Sequence, residues 1–332
     1  MTPGRTALAA VSAAGAVAVG AAVWGIGIER FLFTVRRHQL AILPEGSPSL
    51  TVLHVSDAHM APWQHRKQHW VARLAEQTQP DLVINTGDNL GHIDGLSGIR
   101  RAFAPLSGVP GFFVHGSNDV NGPAARNPLL YFRGPSRGYH AAEALDTPAM
   151  DAYFTEELGW TNLNNTAAVI EAGGVRLGGF GVSDAHRDWD DLPALPAAIA
   201  ATQRRGPFRR AAPAPDLMLG VTHAPYRRIL YRFIELGADA IFAGHTHGGQ
   251  VRIPFSPSAI VANCDIPLDQ ARGLSGWSTG GRRVPLNVSA GLGHSIYAPV
   301  RFGCRPEASV LTLHARPRAD QSLDSSRRGS AR

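Results

Sequence analysis

Five short apolar runs in this 332-residue chain stop at residues able to hold a cation. "LTVLHVSDAH" ends on Asp57 and His59, "DLVINTGDN" on Asp88, and "GFFVHGSND" on Asn118 and Asp119. "DLMLGVTHAP" ends on His223, and "ADAIFAGHTHGGQ" on His245 and His247. The donors are carboxylate, imidazole and amide, with no thiolate among them. That mixture suits Mn, Fe or Zn in a catalytic site and not a Cys-rich structural zinc site. Asp-x-His and His-x-His each put two donors on one side of a turning backbone. Taken singly, His223 or His59 reads as an ordinary loop histidine; the joint pattern is what points to a dinuclear centre. Gly87, Gly116 and Gly244 beside these residues permit tight turns and close backbone approach.

Elements that could gather such residues follow from periodicity. Between the strand-like runs, "QHWVARLAEQTQ" has helical spacing, with Trp70, Leu74 and Thr78 on one side, and "GLSGIRRAFAPL" is a weaker helix. Strand, helix and strand in alternation imply an α/β fold with a largely parallel sheet. In such sheets, groups at the carboxyl ends of strands meet in one crevice. "PAMDAYFTEELGW" is expected to be a helix with Pro148 at its start. "AAVIEAGGVRLGGFGVSD" is expected to be a hairpin turning at Gly173-Gly174. "VPLNVSAGLG" and "ASVLTLHA" close the sheet. Residues 120–147 and 254–283 are irregular, the former expected as a surface insertion or lid. Asp184 and His186 in "GVSDAHRDW" mimic the first motif and are expected as a turn beside the cleft.

Hydrophobic residues make up 44% of the chain, enough for a large core, which excludes global disorder. The net charge of +6 is concentrated in flanks such as Arg36-Arg37 and the C-terminal tail. That distribution favours a membrane surface over specific nucleic-acid recognition, for which no zinc-finger spacing or basic-aromatic helix is present. The four arginines 204, 205, 209 and 210 are expected on a solvated face. Cys264 and Cys304 are expected as unrelated thiols. Residues 7–28 carry no charge. As a helix they would span about 33 Å, enough to cross a bilayer. A cleaved signal peptide ending at Ala16-Val17-Ala18 is the rival. Arg30, Arg36 and Arg37 after the segment favour holding the following domain on the cytoplasmic side. The expected organisation is a single-pass membrane anchor over 1–30, an extended linker over 31–49, a catalytic domain over 50–314 and a disordered basic tail over 315–332.

In order, the blocks "DAH", "GDN", "GSND", "THAP" and "GHTH" resemble those of the calcineurin-like metallophosphoesterase family, over residues 50 to about 314. The anchor, the short linker and "GHTHGGQ" are more similar to its membrane-associated branch, which includes UDP-diacylglucosamine pyrophosphatases. The resemblance implies a layered αββα sandwich behind an N-terminal transmembrane helix, and two divalent metal ions, Mn, Fe or Zn. Asp57, His59, Asp88 and His247 would hold one ion; Asp88, Asn118, His223 and His245 would hold the other, with Asp88 bridging. A hydroxide between the ions would attack phosphorus in line on a phosphodiester or pyrophosphate, with a lipid- or nucleotide-linked substrate expected.

One block departs from the family's Gly-Asn-His. Either Asn118 is the ligand and Asp119 takes the histidine's place, or Ser117 is the ligand and Asn118 takes it. The family histidine is missing either way, and an ionised Asp119 is a poor general acid unless its pKa is raised. His115 and His186 are candidate substitutes. The alternative function is a non-hydrolytic metal- and phosphate-binding membrane protein.

Overall fold

The computed structural model describes residues 3–123, 134–135, 143–202 and 213–317. A long helix, α1 (Pro3–Ala22), runs on through a π-helical stretch, Val23–Ile28, and a turn, Glu29–Phe31. Among the described residues twelve strands follow, in two six-stranded sheets.

The first sheet holds β1 (Thr34–Leu43), β2 (Leu50–Val55), β3 (Leu82–Asn85), β4 (Gly111–Phe113), β5 (Trp160–Asn162) and β12 (Glu307–Ala315), in the order β1-β12-β2-β3-β4-β5. The second holds β6 (Thr166–Ala172), β7 (Val175–Gly181), β8 (Leu217–Val221), β9 (Ala240–Ala243), β10 (Gly273–Thr279) and β11 (Arg282–Val288). Its order is β10-β11-β9-β8-β7-β6. Strands β2 to β5 are mutually parallel, as are β7, β8, β9 and β11; β12 against β2, β6 and β10 supply the antiparallel pairings.

Side-chain alternation explains the layering. On β2, Leu50 and Val52 point inward to a core shared with Ile84, Phe112, Leu177, Leu219 and Phe242 from both sheets. Leu53 and Val55 point the other way, onto α2 (His65–Thr78) and α3 (Gly95–Phe103) through Val71, Leu74, Ile99 and Phe103. The second sheet repeats the arrangement: Ile241, Ala243, Leu286 and Val288 pack on Ile229, Leu230 and Phe233 of α6 (Arg227–Glu235). Each fully buried Leu or Phe contributes ~1.5–3 kcal/mol. The result is the αββα sandwich. One polar tie crosses its core: His54 of β2 meets Asn287 of β11 at 2.8 Å and Thr86 Oγ1 at 3.0 Å. Burial holds the His54 imidazole down at about 3, so the tie is neutral.

Two short helices flank the sandwich, α4 (Thr147–Ala152) and α5 (Leu195–Thr202). Pro148 stands in the first turn of α4, as expected. The hairpin β6–β7 turns at Gly173-Gly174, also as expected. Three strands were not anticipated. The stretch expected as linker 31–49 contains β1, which pairs in parallel with β12 from Thr34↔Glu307 onward. Its alternating half-exposed pattern is that of an edge strand, and Arg36 and Arg37 obscured it. Arg36 donates to Glu307 at 2.9 Å. β5 is three residues long, and β10 lies within the stretch expected to be irregular. The four arginines 204, 205, 209 and 210, most of the segment 120–147, and residues 318–332 of the expected tail lie outside the described residues. Both cysteines are free thiols, Cys304 buried.

Candidate metal centre

The loops after β2, β3, β4, β8 and β9 carry all seven proposed ligands to one point between the sheets. Asp88 Oδ2 lies 3.6 Å from His59 Nε2 and 3.5 Å from His223 Nε2. His59 Nε2 and His247 Nε2 are 3.2 Å apart, and Asp57 Oδ1 is 3.6 Å from His247 Nε2. Two groups of three have ligand atoms all within 4.8 Å of one another: Asp57, His59 and His247, and Asp57, Asp88 and His223. His245 Nδ1 stands 3.3 Å from His223 Nε2. Asn118 Nδ2 lies 2.7 Å from Asp88 Oδ2. Asn118, and not Ser117, thus sets its side chain against the carboxylate; Ser117 meets Asp184 through its backbone N–H at 3.0 Å.

The imidazoles show how the sequence prepares these donors. Three of them rest one ring nitrogen on a backbone carbonyl: His223 Nδ1 on Thr86 at 2.7 Å, His245 Nε2 on Asn263 at 3.1 Å, and His247 Nδ1 on Gly293 at 3.2 Å. A ring N–H donated to a carbonyl leaves the opposite nitrogen as a lone pair, and each of those opposite nitrogens points into the cluster. Lone pairs that converge with carboxylates in a buried space need a positive charge among them. The donor set therefore fits a pair of divalent cations.

Electrostatics agree. Burial pushes the Asp57 carboxyl up to about 7, with Asp88 also raising it and His223 opposing. Burial drives His59 down to about 4 and His245 and His247 well below their ordinary range, so these rings are neutral, as ligands must be. Burial works against both charges of the Asp88–His223 pair. Their mutual attraction overcomes it, holding Asp88 well below and His223 well above the usual values. A proton on His223 sits where cation charge would otherwise be, so protons and metal compete for the same electrons.

Backbone conformation carries a second signature. Asp57, His59, Asp88, His245 and His247 all have left-handed φ, between 39° and 68°. Side chains adopt that region at a cost of ~1–2 kcal/mol each, and such strain gathers where function needs it. Close approach is equally marked: a Cβ on Gly116 would collide with Asp88 Oδ1 and the His223 ring, and one on Gly244 with Ser56 Oγ and Asp57 Oδ2.

The two residues expected to act as acids are placed otherwise. Asp119 is fully buried, with Oδ1 accepting from the backbone of Asn89 at 2.7 Å and Leu90 at 3.3 Å. Its Oδ2 accepts from Asp88 at 2.8 Å and Gly116 at 3.0 Å. Burial raises its pKa, but both oxygens are committed to the loop that carries Asp88. Asp119 is thus placed to hold the loop that carries Asp88. His115 Nε2 is engaged by Asp151 at 2.7 Å, and that pairing raises its pKa against the effect of burial. The Asp184–His186 turn does lie beside the cleft. Asp184 accepts from His186 at 2.9 Å, and the His186 ring lies 4.4 Å from that of His245 and bonds Tyr226 at 2.9 Å.

Sequence reasoning missed three supporting groups. The Arg301 guanidinium, fully buried, donates to the carbonyls of His247 at 3.0 Å, Ala290 at 2.8 Å and Gly293, and faces His247 Nδ1 at 3.2 Å. Its backbone N–H bonds Gly25 at 3.1 Å. Glu29 accepts from the backbone of Cys304 at 2.8 Å and Gly303 at 3.0 Å, and from Trp24 Nε1 at 2.6 Å. Glu307, paired with Arg36, accepts from Ala290 at 3.2 Å. The end of the first helix and β1 thus grip the loop that backs His247. The signal was a charged Arg and Glu inside the apolar surroundings of "PVRFGCRPEASV".

Two sheets facing across a buried carboxylate–imidazole cluster define a metal-dependent phosphoesterase. The chain belongs to the calcineurin-like phosphoesterase family, whose sequence profile matches residues 50–249. It is 26% identical over 285 residues to Phosphodiesterase YaeI of Escherichia coli, covering 85% of this chain and 88% of that one. It is 22% identical over 312 residues to the uncharacterized metallophosphoesterase YkuE of Bacillus subtilis, covering 90% and 94%. Among solved structures it is similar to the NAD nucleotidase NadN of Haemophilus influenzae, at a TM-score of 0.41 and 11% identity, covering 74% of this chain and 46% of that one. Of the described helices, one over Ser12–Phe31 is long and apolar enough to cross a membrane.

Proposed function

We propose that this chain is a membrane-anchored phosphohydrolase that cleaves a phosphodiester or pyrophosphate bond, with a lipid- or nucleotide-linked group on the substrate. The observation that carries this reading is the set of carbonyl-backed imidazoles aimed at Asp57 and Asp88. In it, Asp57, His59 and His247 would hold one cation and Asn118, His223 and His245 the other, with Asp88 available to both. When bound, the two ions supply an acidified water for in-line attack and neutralise charge on the phosphoryl oxygens. The chain's own residues do the rest. Asp57 Oδ2 accepts from the Ser56 hydroxyl at 2.5 Å and from the His245 backbone N–H at 3.0 Å, which fixes the carboxylate. Asn118 fixes Asp88 through its backbone N–H at 2.8 Å and its amide. With Asp119 turned into its loop and His115 held by Asp151, the leaving group is one that departs with little protonation. An anhydride, which expels a phosphate, meets that condition, as does a diester whose leaving group is a weak base such as an aryloxide; the name of the Escherichia coli relative is in keeping with a diester.

The test is Asp88→Asn and His245→Ala in the full chain with Mn²⁺ and bis(p-nitrophenyl) phosphate. Turnover is expected to fall by more than the ~10–100-fold that loss of a supporting partner costs, and metal content to drop. Full activity in both variants would remove the basis for this reading. Two bound metals with no turnover of any mono-, di- or pyrophosphate ester would instead establish the non-hydrolytic alternative.

A further inference from the structure

At the foot of the apolar helix lies a cleft of about 230 Å³, lined by Phe31, Phe33, Arg66, His69, Trp70 and Arg73. Four of the six come from α2 at positions i, i+3, i+4 and i+7, which is one face of a helix. That face is basic and aromatic. Among the described residues, neither Arg66 nor Arg73 has an ion pair; Glu76, the one acid on α2, makes none with Arg73. The other wall is aromatic. Two guanidinium groups approach the Phe31 ring, Arg30 at 4.5 Å and Arg66 at 5.0 Å, and Phe33 meets Trp70 at 5.3 Å. Phe31 is also the last residue of the stretch able to cross a membrane.

Position and chemistry agree on an occupant. The headgroup layer lies at the end of a bilayer-spanning helix, where aromatic rings and basic side chains concentrate. Guanidinium forks match phosphate geometry, and cytoplasmic leaflets carry anionic lipid. We infer that this cleft binds the phosphate of an anionic phospholipid, with Arg66 and Arg73 on the phosphate and the glycerol backbone against Phe33 and Trp70. The inference rests on the membrane-anchored part of the proposed function and not on the hydrolytic part. The cleft is a site separate from the metal cluster.

The full chain in neutral detergent is titrated with dioctanoyl phosphatidylglycerol, dioctanoyl phosphatidylcholine or inorganic phosphate, and bound ligand is counted by native mass spectrometry. One phosphatidylglycerol per chain is expected, bound more tightly than either of the others. Arg66→Gln/Arg73→Gln is expected to weaken it roughly thirtyfold, the factor that two basic contacts with anionic lipid convert to. Arg283→Gln, at an exposed arginine on β11 of the second sheet, is expected to leave it unchanged. Both arginines of the cleft are exposed, so the double variant should melt as the wild type does. Equal binding of the two lipids, unchanged binding by the double variant, or inorganic phosphate binding as tightly as the anionic lipid would each overturn the assignment. Flotation of the full chain with pure phosphatidylcholine vesicles checks the anchor by itself.

Discussion

Replacing Asp119 by Asn separates a positioning role from an acid role. The carboxylate takes two backbone N–H groups on each oxygen. An amide in the same place turns one oxygen into a donor, so whichever way it faces, two backbone N–H groups lose their acceptor and meet another N–H. Each lost bond to a charged acceptor costs ~1.5–3 kcal/mol, so the pair costs ~3–6 kcal/mol. Asp119 is fully buried, so water does not soften the loss. At roughly 2–4 °C per kcal/mol for a domain of this size, the melting temperature should fall by at least about 6 °C. Because the loop carries Asp88, metal affinity should fall with it, by about 10–100-fold. Calorimetry and chelator competition on purified full chain measure both. The argument fails if the variant melts within about 1 °C of wild type, binds metal normally and loses turnover only for substrates with poor leaving groups. That pattern would make Asp119 the acid.

The grip of the first helix on the site predicts that Glu29→Gln weakens the cation site containing His247 and spares the one containing His223 and His245; chelator titration resolving two dissociation constants checks this, and equal shifts at both sites would contradict it. For His115, the folded pKa is raised by Asp151. Its stabilisation is therefore present below the unfolded histidine value of about 6.5 and is lost as pH rises through the higher folded value. Asp151→Asn should lower the His115 pKa in an NMR titration and remove stability at pH 5 but not at pH 9; a stability difference independent of pH would show that the pair does not titrate this way.

The sequence made the site's composition legible and left its support hidden, for a physical reason. Asp57, His59, Asp88, His223, His245 and His247 all follow mainly apolar strands of four to six residues, and period and polarity locate such ends without knowledge of the fold. Arg301 acts on His247 across 54 positions of chain, and Glu29 on Cys304 across 275; no local pattern carries contacts of that span. Asp119 shows a different limit. Its place in the motif is legible, but the four backbone N–H groups that its oxygens accept from are not. β1 was mistaken for a linker because an edge strand keeps its charges and half its side chains in water.

Asp57, His59, Asp88 and Asn118 come from one sheet, and His223, His245 and His247 from the other. Neither half of the molecule offers a complete nest for a cation by itself. A nascent chain released only to residue 200 would carry Asp57, His59, Asp88 and Asn118 without the three histidines, and without β12, which stands between β1 and β2 in the first sheet. Ions held by this set of residues would be taken up only once the two sheets have docked, and would then rivet the seam between them. Occupancy becomes a certificate of finished assembly, and stripping the ions should make the two halves part more readily than either comes apart internally.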